Sequence, residues 1–333
     1  MKNIQFKFVF LNTNIKHMNF TTAVPLQKSN DPINYNSKIV SLGSCFAENM
    51  AEKFEYFKFQ NDVNPFGIIF NTVSIERLIH RAVHQLEFVE EDVFYHNESW
   101  HCYEVHSDLN DFSKELLVSK LNRLLHHFRI QLQEATHIIF TYGTSWVYRN
   151  TSSHQIVANC HKVPQIQFEK ELLSIETTQQ SIQNSVNLVQ EINPNCAFIF
   201  TISPVRHLKD GFVENQHSKA HLIAALHTSI SQLPSSSYFP SYEIMMDELR
   251  DYRFYSDDLL HPSQPAIDYI WIKFFENYVA ETEFALMNQV CEIQRALKHR
   301  PFHPTSESHQ KFLRNLNQKI QKVQEQHPMI RFS

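Results

Sequence analysis

Glycine is nearly missing from this chain: Gly43, Gly67, Gly143 and Gly211 are the only four in 333 residues, where ordinary usage is about 7%. Each one retained therefore marks a place where the backbone geometry demands it. Long apolar runs are also missing. No stretch approaches the roughly 20 consecutive apolar residues that span a bilayer, so no membrane span is expected. Cationic excess is lacking as well. A formal charge of -5 and a pI near 6.5 leave no surplus of Lys and Arg to neutralise a phosphate backbone, so nucleic acid is not an expected partner. The five cysteines, Cys45, Cys102, Cys160, Cys196 and Cys291, are odd in number and include no CxxC pair, which argues against a disulfide framework and a structural zinc site.

The opening residues only faintly imitate a signal peptide, since the run Phe8-Val-Phe-Leu11 is short and no small-residue cleavage site follows. Residues 1–20 read as an extension, frayed or preceding a later start at Met18, and the protein reads as reduced and cytoplasmic.

What is present suits one large or two ordinary folded domains, because 42% apolar and 13% aromatic residues can fill a sizeable core. Lys38-Ile-Val-Ser-Leu-Gly43 is an apolar strand ending in glycine, and apolar residues recur at helical spacing directly after it, through Phe54. His137-Ile-Ile-Phe-Thr-Tyr-Gly143 and Cys196-Ala-Phe-Ile-Phe-Thr-Ile-Ser203 are further strands, with helices expected over 112–133 and 168–191. Strands alternating with helices predict an α/β fold with a mostly parallel sheet covered on both faces. In such sheets ligands bind beyond the carboxyl ends of the strands, and all four glycines are expected at strand-to-loop transitions.

Residues 88–106 read as two short strands and 144–160 as a hairpin with Asn150-Thr-Ser-Ser153 at its tip. Helical character returns over 281–297 and 307–326, the last helix being polar enough to look largely solvated. The division expected is an N-terminal extension (1–20), one α/β domain (21–280) and a C-terminal helical appendage (281–333), the last serving as appendage, lid or oligomer contact.

Gly43-Ser-Cys-Phe-Ala47 spells the signature of the GSCFA family, which the chain resembles. Further matching segments follow in order over roughly 38–275: Asn64-Pro-Phe-Gly67, Tyr142-Gly-Thr-Ser-Trp-Val-Tyr148, Asn159-Cys-His-Lys-Val-Pro164, Ser203-Pro-Val-Arg-His207, Asp210-Gly211, Glu214-Asn215 and Asp258-Leu-Leu-His-Pro262. The family is grouped with the SGNH (GDSL) hydrolases. That resemblance implies a three-layer, flavodoxin-like α/β/α fold, a Gly-Asp-Ser turn after the first strand and a late Asp-x-x-His motif. The late motif is intact as Asp258 and His261, whereas the early turn reads Gly-Ser-Cys.

Aligned on the glycine, the nucleophile position falls on Cys45 and Ser44 takes the aspartate's place. A thiol in the first turn of a helix faces free N–H groups and the positive end of the dipole, which favour thiolate, and Ser44 suits the N-cap. The rival register makes Ser44 the nucleophile and Cys45 a small buried residue; Cys45 is placed first and both are kept. An isolated Ser-Cys pair after a strand would be a cap plus a core thiol, and only its company with Asp258 and His261 lifts it above that. His261 needs a carboxylate to fix its tautomer, for which Asp258 stands first and Asp257 second. Pro262 keeps His261 out of a regular helix.

Charge developing on a carbonyl oxygen requires fixed donors. By resemblance these include Gly67, with Gly143, Thr144 or Ser145 as further candidates and Asn64 beside Gly67; the plainer reading of Gly143 is a chain turn. His161 with Lys162, Arg206 with His207, and Asn215 are placed by resemblance around the pocket, where basic residues suit an anionic or hydroxylated substrate. Arg206 has a structural alternative, a pair with Asp210. His154, Cys160 and His161 lack metal-ligand spacing, so neither metal nor cofactor is expected. The expected activity is hydrolysis of acyl esters, carbohydrate O-acyl esters among them, through a covalent acyl-enzyme. Transfer of the acyl group to a glycan or thiol, and glycan binding without catalysis, are the alternatives.

Overall fold

The computed structural model describes residues 21–332; the N-terminal extension expected over 1–20 lies outside the described residues. Strand β1 (Lys38–Gly43) turns at Ser44 into α1 (Cys45–Tyr56), and β2 (Gln60–Val63) and α2 (Thr72–His84) follow. A ribbon of β3 (Val93–His96) and β4 (Ser99–Cys102) precedes α3 (Lys114–Glu134) and β5 (His137–Tyr142). Three short strands, β6 (Trp146–Asn150), β7 (Ile156–Val157) and β8 (Phe168–Leu172), form a small antiparallel sheet before α4 (Ile175–Ile192) and β9 (Ala197–Ile202). The chain ends through α5 (Phe212–Ile230), β10 (Ser236–Tyr238), α6 (Ser241–Glu243), α7 (Gln264–Tyr278), α8 (Phe284–Leu297) and α9 (Glu307–Gln326).

The central sheet has five parallel strands in the order β2-β1-β5-β9-β10. Its strands alternate faces, as period-2 geometry requires: Ile138, Phe140, Phe198 and Phe200 enter one core with residues of α2 to α5, while Ile139 and Ile199 enter the other with α1, α7, α8 and α9. The sheet is thus covered by helices on both faces, as its apolar strands predict. The C-terminal helices belong to that second core through Leu286, Val290 and Ile293 of α8 and Leu316 and Val323 of α9. Those two residues are the buried ones of α9, in keeping with its polar sequence.

Two sequence expectations change. Residues 168–172 form a strand paired with β6 instead of opening a helix, and α4 begins only after Ser174, whose hydroxyl accepts the Thr177 N–H. Gly211 is the N-cap of α5, nine residues past β9, and not a strand end.

The order of the parallel strands is the flavodoxin-like one, in which the chain moves outward from β1 to β2 and then returns to β5. Helices leave β1 and β5 toward opposite faces, and the crevice beyond the carboxyl ends of these two neighbours is the switch point where such folds bind ligands. Gly43 makes the turn there possible: its φ is +137°, and a Cβ would lie 2.1 Å from the Thr141 carbonyl oxygen.

Candidate active site

Ser44 and Cys45 sit at this switch point. Ser44 N–H donates to the Thr141 carbonyl (3.0 Å), tying the turn to β5, and its hydroxyl accepts the Phe46 N–H (3.3 Å) as the N-cap of α1. The residue is fully buried. Cys45 opens the helix and remains partly exposed. Its sulfur faces the N–H groups of Cys45 and Phe46, as expected for a first-turn thiol, yet the net effect differs from expectation. Burial, then the nearby Glu48 carboxylate, push the thiol up, outweighing those two N–H groups and the positive Lys219.

Asn64, in the left-handed region at φ +43°, closes the neighbouring turn. Its Oδ1 accepts the Gly43 N–H (2.8 Å), so it braces β1 from the side. The Gly67 N–H donates to the Asn64 carbonyl (2.7 Å), and a Cβ on Gly67 would strike His106. Gly143 and Thr144 both donate their N–H groups to the Phe70 carbonyl (2.8 and 3.3 Å), while the Thr144 hydroxyl accepts from Trp146 N–H and meets Ser218 Oγ. The Ser145 N–H goes to Ser218 Oγ (2.7 Å). These groups, expected as oxyanion donors, are engaged within the fold.

The loop 254–263 carries the second half of the site. Ser256 N–H donates to the His261 carbonyl (2.8 Å) and Leu259 N–H to Ser256 (2.9 Å), with Leu259 in the left-handed region at φ +58°. This tight turn folds the Asp258 carboxylate back on itself: Oδ1 accepts the N–H groups of Leu260 (2.9 Å) and His261 (3.0 Å), and Oδ2 meets His261 Nδ1 at 2.6 Å. The two main-chain donors and then the imidazole hold the carboxyl down at about 2. A carboxylate can only accept, so Nδ1 carries the proton and Nε2 is left to accept another. Both side chains remain 45% exposed. The bond is made by Asp258; Asp257, the second candidate, has no such contact.

Loop 203–211 after β9 joins the two halves. Arg206 N–H donates to Leu260 (3.2 Å), its Nη2 donates to the Leu259 carbonyl, and its guanidinium lies over the Tyr255 ring at 4.2 Å. Arg206 thus clamps the His261 loop; Asp210 pairs instead with Lys170 at 2.6 Å. Asn215 Oδ1 accepts the His207 N–H (2.9 Å). The His207 ring packs edge-on to Phe70 and against Gly143, where a Cβ would lie 3.1 Å from Nε2. Burial, followed by the charges of Lys219 and His261, lowers its pKa to about 3, so the ring is neutral. Its Nε2 is buried without a partner among the described residues.

His161 is held by groups of the fold. It is 4% exposed, its Nε2–H donates to the Cys102 carbonyl (2.7 Å), and its Nδ1 lies 3.2 Å from Nδ1 of His101. Among the described residues no group of three or more His, Cys, Asp or Glu side chains is arranged to hold a metal.

Sequence reasoning missed Lys219. It is 1% exposed, and its Nζ donates to the carbonyls of Gly143 (2.8 Å) and Ser203 (2.7 Å), the residues that follow β5 and β9. Burial lowers its pKa to about 7. The available signal was its position in the buried stripe of α5, between Asn215, Ser218 and Leu222, where a lysine is out of place.

Among the described residues no helix is long and apolar enough to cross a membrane. No curated protein matches the chain. The family model described as GSCFA family matches residues 38–274, and that described as GSCFA domain protein, C-terminal domain, matches residues 290–333. The first match covers well over half of the chain and spans the switch-point turn, the β9 loop and the Asp258–His261 pair: the chain belongs to the GSCFA family.

Proposed function

We propose that this protein is an acyl-ester hydrolase of SGNH type, in which Cys45 is the nucleophile, His261 the base and Asp258 its orienter. The observation that carries the reading is the 2.6 Å contact between Asp258 and His261 Nδ1, which leaves Nε2 as the proton acceptor on a loop tied through Leu260 to Arg206 beyond the carboxyl end of β9, the end of the sheet that also carries the Cys45 turn. Cys45 is preferred to Ser44 because the Ser44 hydroxyl is fully buried and capping a helix, whereas the thiol is partly exposed.

In this reaction His261 Nε2 takes the sulfhydryl proton and the sulfur attacks the ester carbonyl, forming an S–C bond. The alkoxide leaves with the proton returned by His261, and water then cleaves the thioester. The raised thiol pKa makes the base necessary: the sulfur is a thiol at neutral pH and is activated only as its proton leaves. The Cys45 N–H, outside the α1 ladder, and the Nε2–H of a neutral His207 are the donors proposed for the oxyanion, since Gly67, Gly143 and Thr144 are engaged elsewhere. Carbohydrate O-acyl esters are the proposed substrates, and five free cysteines support a reduced, cytoplasmic setting.

The test is hydrolysis of acetylated sugars and of a chromogenic acetate by the full chain and by its Cys45→Ala and Ser44→Ala variants. Loss of turnover with Cys45→Ala and its retention with Ser44→Ala is expected. Retained turnover with Cys45→Ala would refute this nucleophile.

A further inference from the structure

Two of the 20 histidines form a pair on α5 that takes no part in the candidate active site. His217 and His221 stand one turn apart, which places both rings on one helix face. Their Nε2 atoms lie 3.1 Å from one another, and the ring planes cross at 88° with centroids 4.6 Å apart. His221 is fixed from behind. Its Nδ1 lies 2.8 Å from the Leu173 carbonyl oxygen, which can only accept, so Nδ1 carries the proton and the neutral ring keeps a lone pair on Nε2. Leu173 is itself buried and held, giving its N–H to the Ser145 carbonyl (2.9 Å). The Ser145 N–H in turn donates to Ser218 Oγ of α5 (2.7 Å), so the frame behind His221 closes on the helix that carries it.

A main-chain carbonyl on one ring nitrogen with the other nitrogen open is how metal-ligating histidines are oriented. Without an ion, the His217 Nε2–H donates to His221 Nε2. His217 is exposed, so its proton can move to Nδ1, where water accepts it, and both Nε2 lone pairs are then free for one cation. The spacing fits such a cation. Two nitrogens at ordinary zinc–imidazole distances are about 2.9 Å apart at a right angle and about 3.3 Å apart at the tetrahedral angle, and the observed 3.1 Å falls between. The equally spaced His80 and His84 of α2 supply the contrast: their ring centroids are 4.5 Å apart, yet among the described residues no hydrogen bond links them and no carbonyl orients either ring.

We propose that His217 and His221 form a two-histidine site for a borderline divalent transition-metal ion, zinc or copper(II), with the remaining coordination positions left to water. Imidazole suits both ions, and copper(II) binds the tighter of the two by the general order of affinities. The site is independent of the ester chemistry proposed for Cys45 and His261.

The experiment uses the full chain, treated with a chelator, and reads no ester turnover. Zinc chloride and copper(II) chloride are titrated in by calorimetry, and the bound ion is located by diethyl pyrocarbonate modification of histidines followed by peptide mass spectrometry. One ion per chain is expected at the tightest site. His217→Ala removes an exposed ring and leaves no buried void; it and His221→Ala should each weaken that site by at least the about tenfold that loss of an outer partner alone costs. The His80→Ala/His84→Ala double variant should bind as wild type does. Zinc should slow modification of His217 and His221 and leave His80 and His84 unprotected. Wild-type affinity in His217→Ala, or protection falling equally on all four histidines, overturns the proposal and leaves the pair as two hydrogen-bonded rings.

Discussion

Loops 256–262 and 159–164 each present a histidine, and they are built in opposite ways. His161 is 4% exposed, gives Nε2–H to a carbonyl and turns Nδ1 to His101; burial lowers its pKa to about 4. His261 is half-exposed, gives Nδ1–H to a carboxylate and keeps Nε2 available. Both nitrogens of the first are turned to groups of the fold, so the ring braces a loop. The contrast shows that a histidine in a family motif earns a chemical role through the nitrogen it leaves unpaired, and 20 histidines in one chain make the distinction necessary.

The largest expected effect separates the two loops. His261→Ala should lower ester turnover by about a thousandfold, with thermal unfolding unchanged because the ring is half-exposed. Asp258→Asn should follow, lowering turnover by about a hundredfold or more by releasing the ring from its tautomer. His161→Ala should do the reverse: urea unfolding should show a loss of about 1–3 kcal/mol from the stranded Cys102 carbonyl, while turnover per folded molecule is retained. Equal losses of turnover in His161→Ala and His261→Ala would erase the contrast.

Acid should sharpen it. The pKa values of His161 (about 4) and His207 (about 3) lie below the ordinary histidine value near 6.5, so the unfolded chain binds more protons than the folded one below that value. Stability should therefore be full above about 6.5 and fall as pH drops toward 4, the decline being shallower in His161→Gln. Urea unfolding at several pH values measures this. The smallest effect belongs to Ser44→Ala, which removes a helix cap and should cost about 1 kcal/mol in the same assay.

Much of this was legible in the sequence where signals are local. The apolar runs ending at Gly43 and before Gly143 are β1 and β5, and Ser44 is the expected cap. The Asp258 and His261 spacing was legible as a motif, but their 2.6 Å contact depends on the left-handed Leu259, which no pattern announces. Phe168-Glu-Lys-Glu-Leu172 suits helix or strand equally, and its partner β6 decided the matter. Gly67 and Gly143 looked available as donors because their acceptors, the Asn64 and Phe70 carbonyls, are fixed by how the loops fold back. The thiol pKa was misjudged for a similar reason: the helix end was visible in the sequence, whereas burial is a tertiary property.

The central claim is tested most directly by trapping the covalent intermediate. Wild type mixed with a chromogenic acetate, quenched in acid within the first turnovers and digested, should yield one acetylated peptide spanning residues 43–47, with the acetyl group on Cys45 and lost on treatment with hydroxylamine. An acetyl group found on Ser44, or an adduct that survives in Cys45→Ala, would contradict it.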